Sequence, residues 1–308
     1  AARKHGLVQW EALAWELSGR HHLARGLEAF GLTCLREARD GWVRWGATGK
    51  VAQLQSEFPP LADRRPSPPG PATAAADRGL DVLAANRAAA TSSTLVVLDD
   101  DPTGTQTVHD VAVVTTWDVP TLRAELAGLP ACFYILTNSR SLTADATRAL
   151  HRDLAINLRT ASTETRRPIV VASRSDSTLR GYYPLETDTL ADVLGPYDAT
   201  IITPYFEAGG RYTLNDTHYV AEGDQLVPAA ETPFARDDAF GYRHSHLPSW
   251  VEEKTAGRTR AIDVATISLD LLRRGGPTAV AEKLRALPRG SGCIVTASAP
   301  RDIEVFAA

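Results

Sequence analysis

The chain has 308 residues, of which 44% are hydrophobic and 23% charged, and its net charge is −4. That is enough for one large α/β domain or two modest ones of ordinary globular composition. There is no basic excess for tracking phosphates, so a nucleic-acid partner is not expected, and no apolar run approaches the length of a membrane span.

The start of the chain lacks a charged region followed by an apolar core, so no secretory signal is read and a cytoplasmic location is expected. The chain opens at Ala1 and contains no Met, which reads as a piece of a longer protein. Cys34, Cys132 and Cys293 stand far apart, without metal-ligand spacing and in an odd number, so buried thiols are expected and no metal site.

In chain order, Trp10, Leu13, Trp15, Leu17, Leu23, Leu27 and Phe30 recur at roughly helical spacing. They predict two or three amphipathic helices within residues 1–55, a segment of no visible chemistry. Adjacent His21 and His22 would point about 100° apart on a helix, a poor metal pair. Pro59, Pro60, Pro66, Pro68, Pro69 and Pro71 neither continue a helix nor join a sheet interior. Residues 56–92 are therefore expected to form a Pro/Ala-rich linker, and 93–308 a separate domain.

From residue 94 short β-branched runs alternate with longer helical stretches. The predicted strands are Thr94–Leu98, Val111–Thr115, Cys132–Leu136, Ile169–Ala172, Thr200–Thr203 and Cys293–Thr296. The predicted helices cover 119–128, 143–160, 184–194 and 277–287. This alternation implies an α/β fold, a mostly parallel sheet with flanking helices, preceded by the short helical N-terminal segment.

Three strand ends carry chemistry. The run Leu95–Leu98 ends in Asp99, Asp100, Asp101, Pro102, Thr103 and Gly104. In open α/β sheets ligands bind beyond the carboxyl ends of strands, and three adjacent carboxylates are costly unless a cation or a shared proton compensates. A solvated turn capped by Asp101 is the plainer alternative. The run Phe133–Leu136 leads into Thr137, Asn138, Ser139, Arg140 and Ser141, which offer hydroxyl and amide groups and one guanidinium, or simply a polar turn. The run Ile169–Ala172 leads into Ser173, Arg174, Ser175, Asp176, Ser177, Thr178, Leu179, Arg180 and Gly181. Two arginines there can grip a carboxylate or phosphate bidentately, and Asp176 can accept a proton, unless it merely forms a surface ion pair. In a parallel sheet all three segments reach one edge, a mixture suited to a polyhydroxylated anion.

The stretch Asp99–Asp110 (D-D-D-P-T-G-T-Q-T-V-H-D), then I-L-T-N-S-R-S-L, S-R-S-D-S-T-L-R-G-Y-Y-P-L-E-T-D and W-V-E-E-K-T-A-G-R-T-R at 250–260 resemble the four-carbon acid sugar kinase family over roughly residues 94–308. The resemblance implies two domains, an N-terminal one that binds the acid sugar and a Gly-rich C-terminal one that binds ATP. It implies phosphorylation of the terminal hydroxyl of compounds such as threonate, erythronate or 3-oxo-tetronates. On this reading the chain is the substrate-binding domain, its partner a small sugar acid, and a homodimer is one admissible assembly. ATP and Mg²⁺ are expected mainly through the C-terminal domain, since no G-x-x-x-x-G-K-[ST] loop occurs here. The residues expected to carry catalysis are Asp101 as general base and Asp176 second to it. Those expected to bind substrate are Asp99, Asp100, Thr103, Gly104, Asn138, Arg140, Arg174, Ser177, Thr178 and Arg180. Arg174 stands where many members carry Lys, and Tyr182 where close relatives carry His.

Two other readings compete. In a phosphatase or phosphotransferase of the haloacid-dehalogenase kind, Asp99 would be the nucleophile and Asp101 the acid/base. That reading needs a Lys at a strand end and an acidic pair after Cys293–Thr296, where Ala297 and Ser298 stand instead. The third reading is a non-catalytic sugar-acid-binding module.

Overall fold

The computed structural model describes residues 8–45, 47–61, 84, 93–223 and 225–308. The chain divides into a smaller unit, Ala1–Ser67 with Gly223–Gln225, and a larger one, Pro68–Glu222 with Leu226–Ala308.

The smaller unit contains helices α1 (Val8–Ala24), α2 (Glu28–Arg44) and α3 (Thr48–Glu57), followed by a 3₁₀ turn at Pro59–Leu61. Ala12, Leu35, Ala38, Trp42, Leu54 and Leu61 form its core. Glycines let α1 and α2 approach closely: a Cβ on Gly41 would lie 2.7 Å from that of Ala12. Inside this apolar packing Glu16 accepts hydrogen bonds from Trp42 Nε1 at 2.9 Å and Lys50 Nζ at 3.1 Å. Trp10 and Leu17, expected on an apolar face, are 58% and 60% exposed. The stretch expected as a linker from residue 56 begins in ordered elements, with Leu61 buried in this core. Its residues 62–83 and 85–92 lie outside the described residues.

The larger unit holds two parallel sheets. The first has the order β2 (Val113–Val114), β3 (Cys132–Leu136), β1 (Thr94–Asp99), β4 (Ile169–Arg174). Helices α4 (Val119–Ala127), α5 (Ala144–Thr165) and α6 (Leu185–Leu194) cover one of its faces. There Val96, Leu98, Phe133 and Ile135 pack against Leu122, Leu126, Leu154, Leu158 and Leu190. Asp118 caps α4 through the Thr121 amide and Thr143 caps α5 through that of Ala146. The second sheet has the order β5 (Ala199–Ile202), β10 (Ser291–Val295), β9 (Ala265–Ile267), with helices α8 (Gly276–Arg285) and α9 (Pro300–Ala307). Ile267, Val280, Cys293, Val295 and Val305 form its core.

The single parallel sheet expected from the alternation is therefore two. A third, three-stranded sheet, β6 (Arg211–Leu214), β7 (Thr217–Glu222) and β8 (Gln225–Pro228), was not anticipated. Strands β6 and β7 pair antiparallel around Asn215–Asp216, whose φ values of 47° and 60° belong to a tight two-residue hairpin turn. Helix α7 (Leu247–Lys254) packs Leu247, Trp250 and Val251 against Val220, Tyr242 and Ile294.

Candidate functional site

Strand β1 lies between β3 and β4, and their carboxyl ends are in register: Asp99 stands opposite both Leu136 and Arg174. The three segments singled out in the sequence leave the sheet side by side. Asp99 is fully buried, and its Oδ1 accepts a hydrogen bond from Arg174 Nη1 at 3.1 Å. Its Oδ2 is buried without a partner. Gly104 closes over this carboxylate, because a Cβ there would sit 1.9 Å from both oxygens and 2.2 Å from Arg174 Nη1. Burial pushes the Asp99 carboxyl above the usual carboxylate range, against the opposing charge of Arg174.

Asp100 is also buried, but every oxygen has a partner. Arg140 grips it with a fork, Nε to Oδ2 at 2.9 Å and Nη2 to Oδ1 at 2.6 Å, and Ser175 Oγ adds a bond to Oδ2 at 3.1 Å. The backbone follows suit, with the Arg140 amide donating to the Asp100 carbonyl at 3.1 Å. One carboxylate thus ties all three segments together. Asp101 turns outward and is 29% exposed, with Oδ2 at 3.6 Å from Arg140 Nη1. Its Oδ1 accepts from the Thr103 amide at 2.8 Å and from the Thr103 hydroxyl. The Thr103 bonds hold the Asp101 carboxyl below the usual range, outweighing partial burial.

The 173–181 segment is folded on itself. Asp176 Oδ1 accepts from the Thr178 amide at 3.1 Å, and Oδ2 accepts from the Thr178 hydroxyl and from Arg180 Nε, the latter at 2.6 Å. Burial alone would raise the Asp176 carboxyl, but the Thr178 bonds and the Arg180 charge prevail and lower it. Leu179 takes a positive φ of 67° where the loop reverses. Two side chains brace the loop from behind: His218 Nε2 lies 2.7 Å from the Ser177 carbonyl, and the Tyr242 hydroxyl donates to the Thr178 carbonyl at 2.8 Å.

The structure brings every predicted site residue to this one sheet edge but divides their roles. Asp101, Thr103, Asn138, Arg140, Arg174, Asp176, Ser177 and Arg180 reach the accessible surface at least in part. Asp99, Asp100 and Thr178, expected to touch substrate, are buried and engaged with protein groups, and Gly104 packs on Asp99. These four build the frame that presents the others. Asn138 is exposed in the left-handed region, with φ 51°, and its Nδ2 donates to Ser141 Oγ at 3.2 Å.

Several residues of the site escaped the sequence reading. Glu186 in α6 is buried and joins two strand ends, accepting from Ser139 Oγ at 2.8 Å and Ser173 Oγ at 2.9 Å, with His151 Nε2 at 3.7 Å. Arg211, Phe234 and Asp237 gather around Arg180, whose Nη1 is 3.7 Å from Asp237 Oδ2. The Asn215–Asp216 pair, of residue types that tolerate left-handed turns, is a local signal that could have located this corner. Among the described residues no group of three or more His, Cys, Asp and Glu is arranged to hold a metal ion. A cleft of about 260 Å³ by the amino end of β4, lined by Arg159, Thr163, Ile169 and Tyr197 among others, contains none of the predicted residues. It offers no carboxylate for acid–base work.

The family described as "sugar-binding N-terminal domain" matches residues 95–308, and the chain belongs to it, the N-terminal domains of four-carbon acid sugar kinases. A protein of Heliobacterium modesticaldum named D-erythronate kinase is 29% identical over 143 residues, which cover 46% of this chain and 30% of that protein. Two crystal structures of a domain of unknown function from Bordetella bronchiseptica, domain-swapped dimers with bound citrate, share the fold. Their TM-scores are 0.52 and 0.51 at 22% and 23% identity, covering 70% and 69% of this chain. The match spans 51% and 49% of those two chains, so this chain accounts for about half of their length. No helix among the described residues is long and apolar enough to cross a membrane.

Proposed function

We propose, from that membership, that this sheet edge binds a four-carbon sugar acid and that the complete protein phosphorylates its terminal hydroxyl with ATP. The observation that carries the reading is the meeting, at three adjacent strand ends, of a partly exposed carboxylate, Asp101, and a mostly buried one, Asp176, with two partly exposed guanidiniums, Arg174 and Arg180. Arginine suits a substrate carboxylate because its fork matches two oxygens at once. Arg174 makes one hydrogen bond, through Nη1, which leaves its remaining donors for a ligand. The relative named for D-erythronate supports a four-carbon acid. Citrate, bound by the Bordetella domain, is a small hydroxylated carboxylate of the same chemical class.

Phosphoryl transfer asks the protein mainly for positioning and charge neutralisation. The acceptor hydroxyl must still release its proton, and a nearby carboxylate can take it. Asp176 has both oxygens engaged by Thr178 and Arg180, whereas Asp101 keeps Oδ2 with only the distant Arg140 contact. Asp101 is therefore the base in this proposal, and Asp176 holds the loop and a substrate hydroxyl. ATP and Mg²⁺ are supplied, in the proposal, by protein outside residues 1–308. The haloacid-dehalogenase alternative requires Asp99 to attack a substrate, and Asp99 lies fully buried beneath Gly104.

Calorimetric titration of the chain with D-erythronate, D-threonate and the neutral polyol erythritol tests the reading. One or both acids should bind, erythritol should not, and Arg174→Ala should weaken the acid by about 1.5–3 kcal/mol, the scale of losing a charged hydrogen-bond donor to the ligand. A chain that binds no four-carbon acid would sink the proposal, and unchanged affinity in Arg174→Ala would remove Arg174 from the site.

A further inference from the structure

Arg211 comes from β6, in a sheet outside the three strand ends, yet it faces the same corner. Its guanidinium lies 5.5 Å from the centroid of the Phe234 ring, and the Arg180 guanidinium lies 5.0 Å from that same centroid. Arg211 Nη1 donates to the Gly209 carbonyl, but Nε is buried with no partner. A guanidinium carries five N–H donors in a fixed fork and no acceptor. A buried donor without an acceptor is unfavourable by its full desolvation penalty.

Two cations sharing one ring also repel each other. Burial, together with the Arg180 charge, draws the Arg211 guanidinium below its usual range, and Asp176 acts in the opposite sense. The protein's own anions do not cover both arginines. Asp176 is already bonded to Arg180 Nε and to Thr178, and Asp237 stands 3.7 Å from Arg180 Nη1 while accepting the Ala239 and Phe240 amides. An anionic oxygen pair is the chemistry that would complement both guanidiniums at this corner. The Phe234 ring lies within cation–π range of both guanidiniums, a contact favoured by the negative charge of an aromatic face.

We propose that Arg211 and Arg180 together seat the carboxylate of the substrate, and that Arg211 is the residue that makes the site select acids over neutral polyols. This rests on the reading of the site as a sugar-acid site. It also orients the ligand. With the carboxylate at the Arg180–Arg211 corner, the rest of the ligand extends toward Asp101, which lies 3.6 Å from Arg140 through Oδ2.

The test is calorimetry on the whole chain with D-erythronate, D-threonate and erythritol, for wild type, Arg211→Gln, Arg211→Lys and the remote control Arg289→Gln. Arg211→Gln should weaken binding of the acid roughly 10- to 100-fold, the scale of losing one charged donor. Arg211→Lys, which keeps the charge but not the fork, should weaken it by roughly tenfold. Arg289→Gln should match wild type. Acid affinity in Arg211→Gln within about threefold of wild type, at comparable thermal stability, overturns the inference while leaving the sugar-acid reading intact. If Arg211→Gln does not fold, undiminished acid binding by Arg211→Lys overturns it equally. A wild-type chain that binds no four-carbon acid overturns the site reading and this inference with it.

Discussion

His218 is a buried imidazole whose protonation the fold opposes, and its cost is calculable. The ring has no exposed surface, lies 2.7 Å through Nε2 from the Ser177 carbonyl and 3.0 Å through Nδ1 from the Thr213 hydroxyl. The neutral ring satisfies both contacts if Nε2–H donates to the carbonyl and Nδ1 accepts from the hydroxyl. Burial pulls its pKa from 6.5 down to about 4. Between those two values the unfolded chain binds a proton that the folded chain does not, so stability falls as pH falls through that window. At about 1.36 kcal/mol per unit, the gap between 6.5 and about 4 amounts to about 3 kcal/mol. Asp101 and Asp176 have lowered values, so their contributions are lost only below the ordinary Asp range. Asp99, raised by burial, acts with the opposite sign in the lower part of the window. The comparison with His218→Gln isolates the imidazole. Urea denaturation from about pH 7 to pH 4 should show the stability advantage of wild type over His218→Gln shrinking by about 3 kcal/mol. Since His218 backs onto Ser177, acid binding at the 176–180 loop should weaken in parallel. An NMR resonance assigned to His218 by its loss in the variant, and titrating near the ordinary histidine value, would refute the reasoning.

Arg140→Ala removes the fork from a buried carboxylate and should destabilise the protein by about 3–5 kcal/mol, read by denaturant unfolding. The double variant Arg140→Met with Asp100→Leu should recover most of that loss, and if it is no better than Arg140→Ala, Asp100 is not the group that Arg140 neutralises. In the complete enzyme, Asp101→Asn should lower turnover about 10²–10⁴-fold with sugar-acid affinity largely kept. Near-normal turnover there, with Asp176→Asn inactive, would exchange the roles assigned to the two carboxylates.

The strand ends were legible because each apolar run breaks abruptly into polar groups, and a parallel sheet must deliver such breaks to one edge. What the sequence concealed is which of Asp99, Asp100 and Asp101 faces a ligand. Strand alternation suggests that Asp99 and Asp101 share a direction. The strand ends at Asp99, so the alternation lapses where it was needed. Asp99 turns in to Arg174, Asp100 to Arg140, and Asp101 alone turns out. Arg211, His218 and Phe234 were hidden for another reason: they reach the site from β6, β7 and the 3₁₀ turn Pro233–Arg236 beyond β8, and no local pattern marks a contact across such a separation. The Asn215–Asp216 turn that folds this hairpin is marked locally only by two residues that tolerate the left-handed region.

The W-V-E-E-K-T stretch acts at a distance from the three strand ends, by holding the segment that braces the 176–180 loop. In α7, Glu253 accepts from the Arg243 amide at 3.0 Å and from His244 Nδ1 at 2.7 Å. Lys254 donates to the Phe240 and Gly241 carbonyls at 3.0 Å each. Together they clamp residues 240–244. That clamp fixes Tyr242, whose hydroxyl holds the Thr178 carbonyl, and Phe240, which meets the Tyr182 ring edge-on at 4.9 Å. Thr178 in turn fixes Asp176, and Asp176 fixes Arg180. With His218 on the adjacent carbonyl and Glu186 under the two strand ends, the polar loop is held from behind at several points. A loop so braced presents its arginine and carboxylate pre-organised, so the proposed binding of an acid there would not spend free energy on ordering the loop.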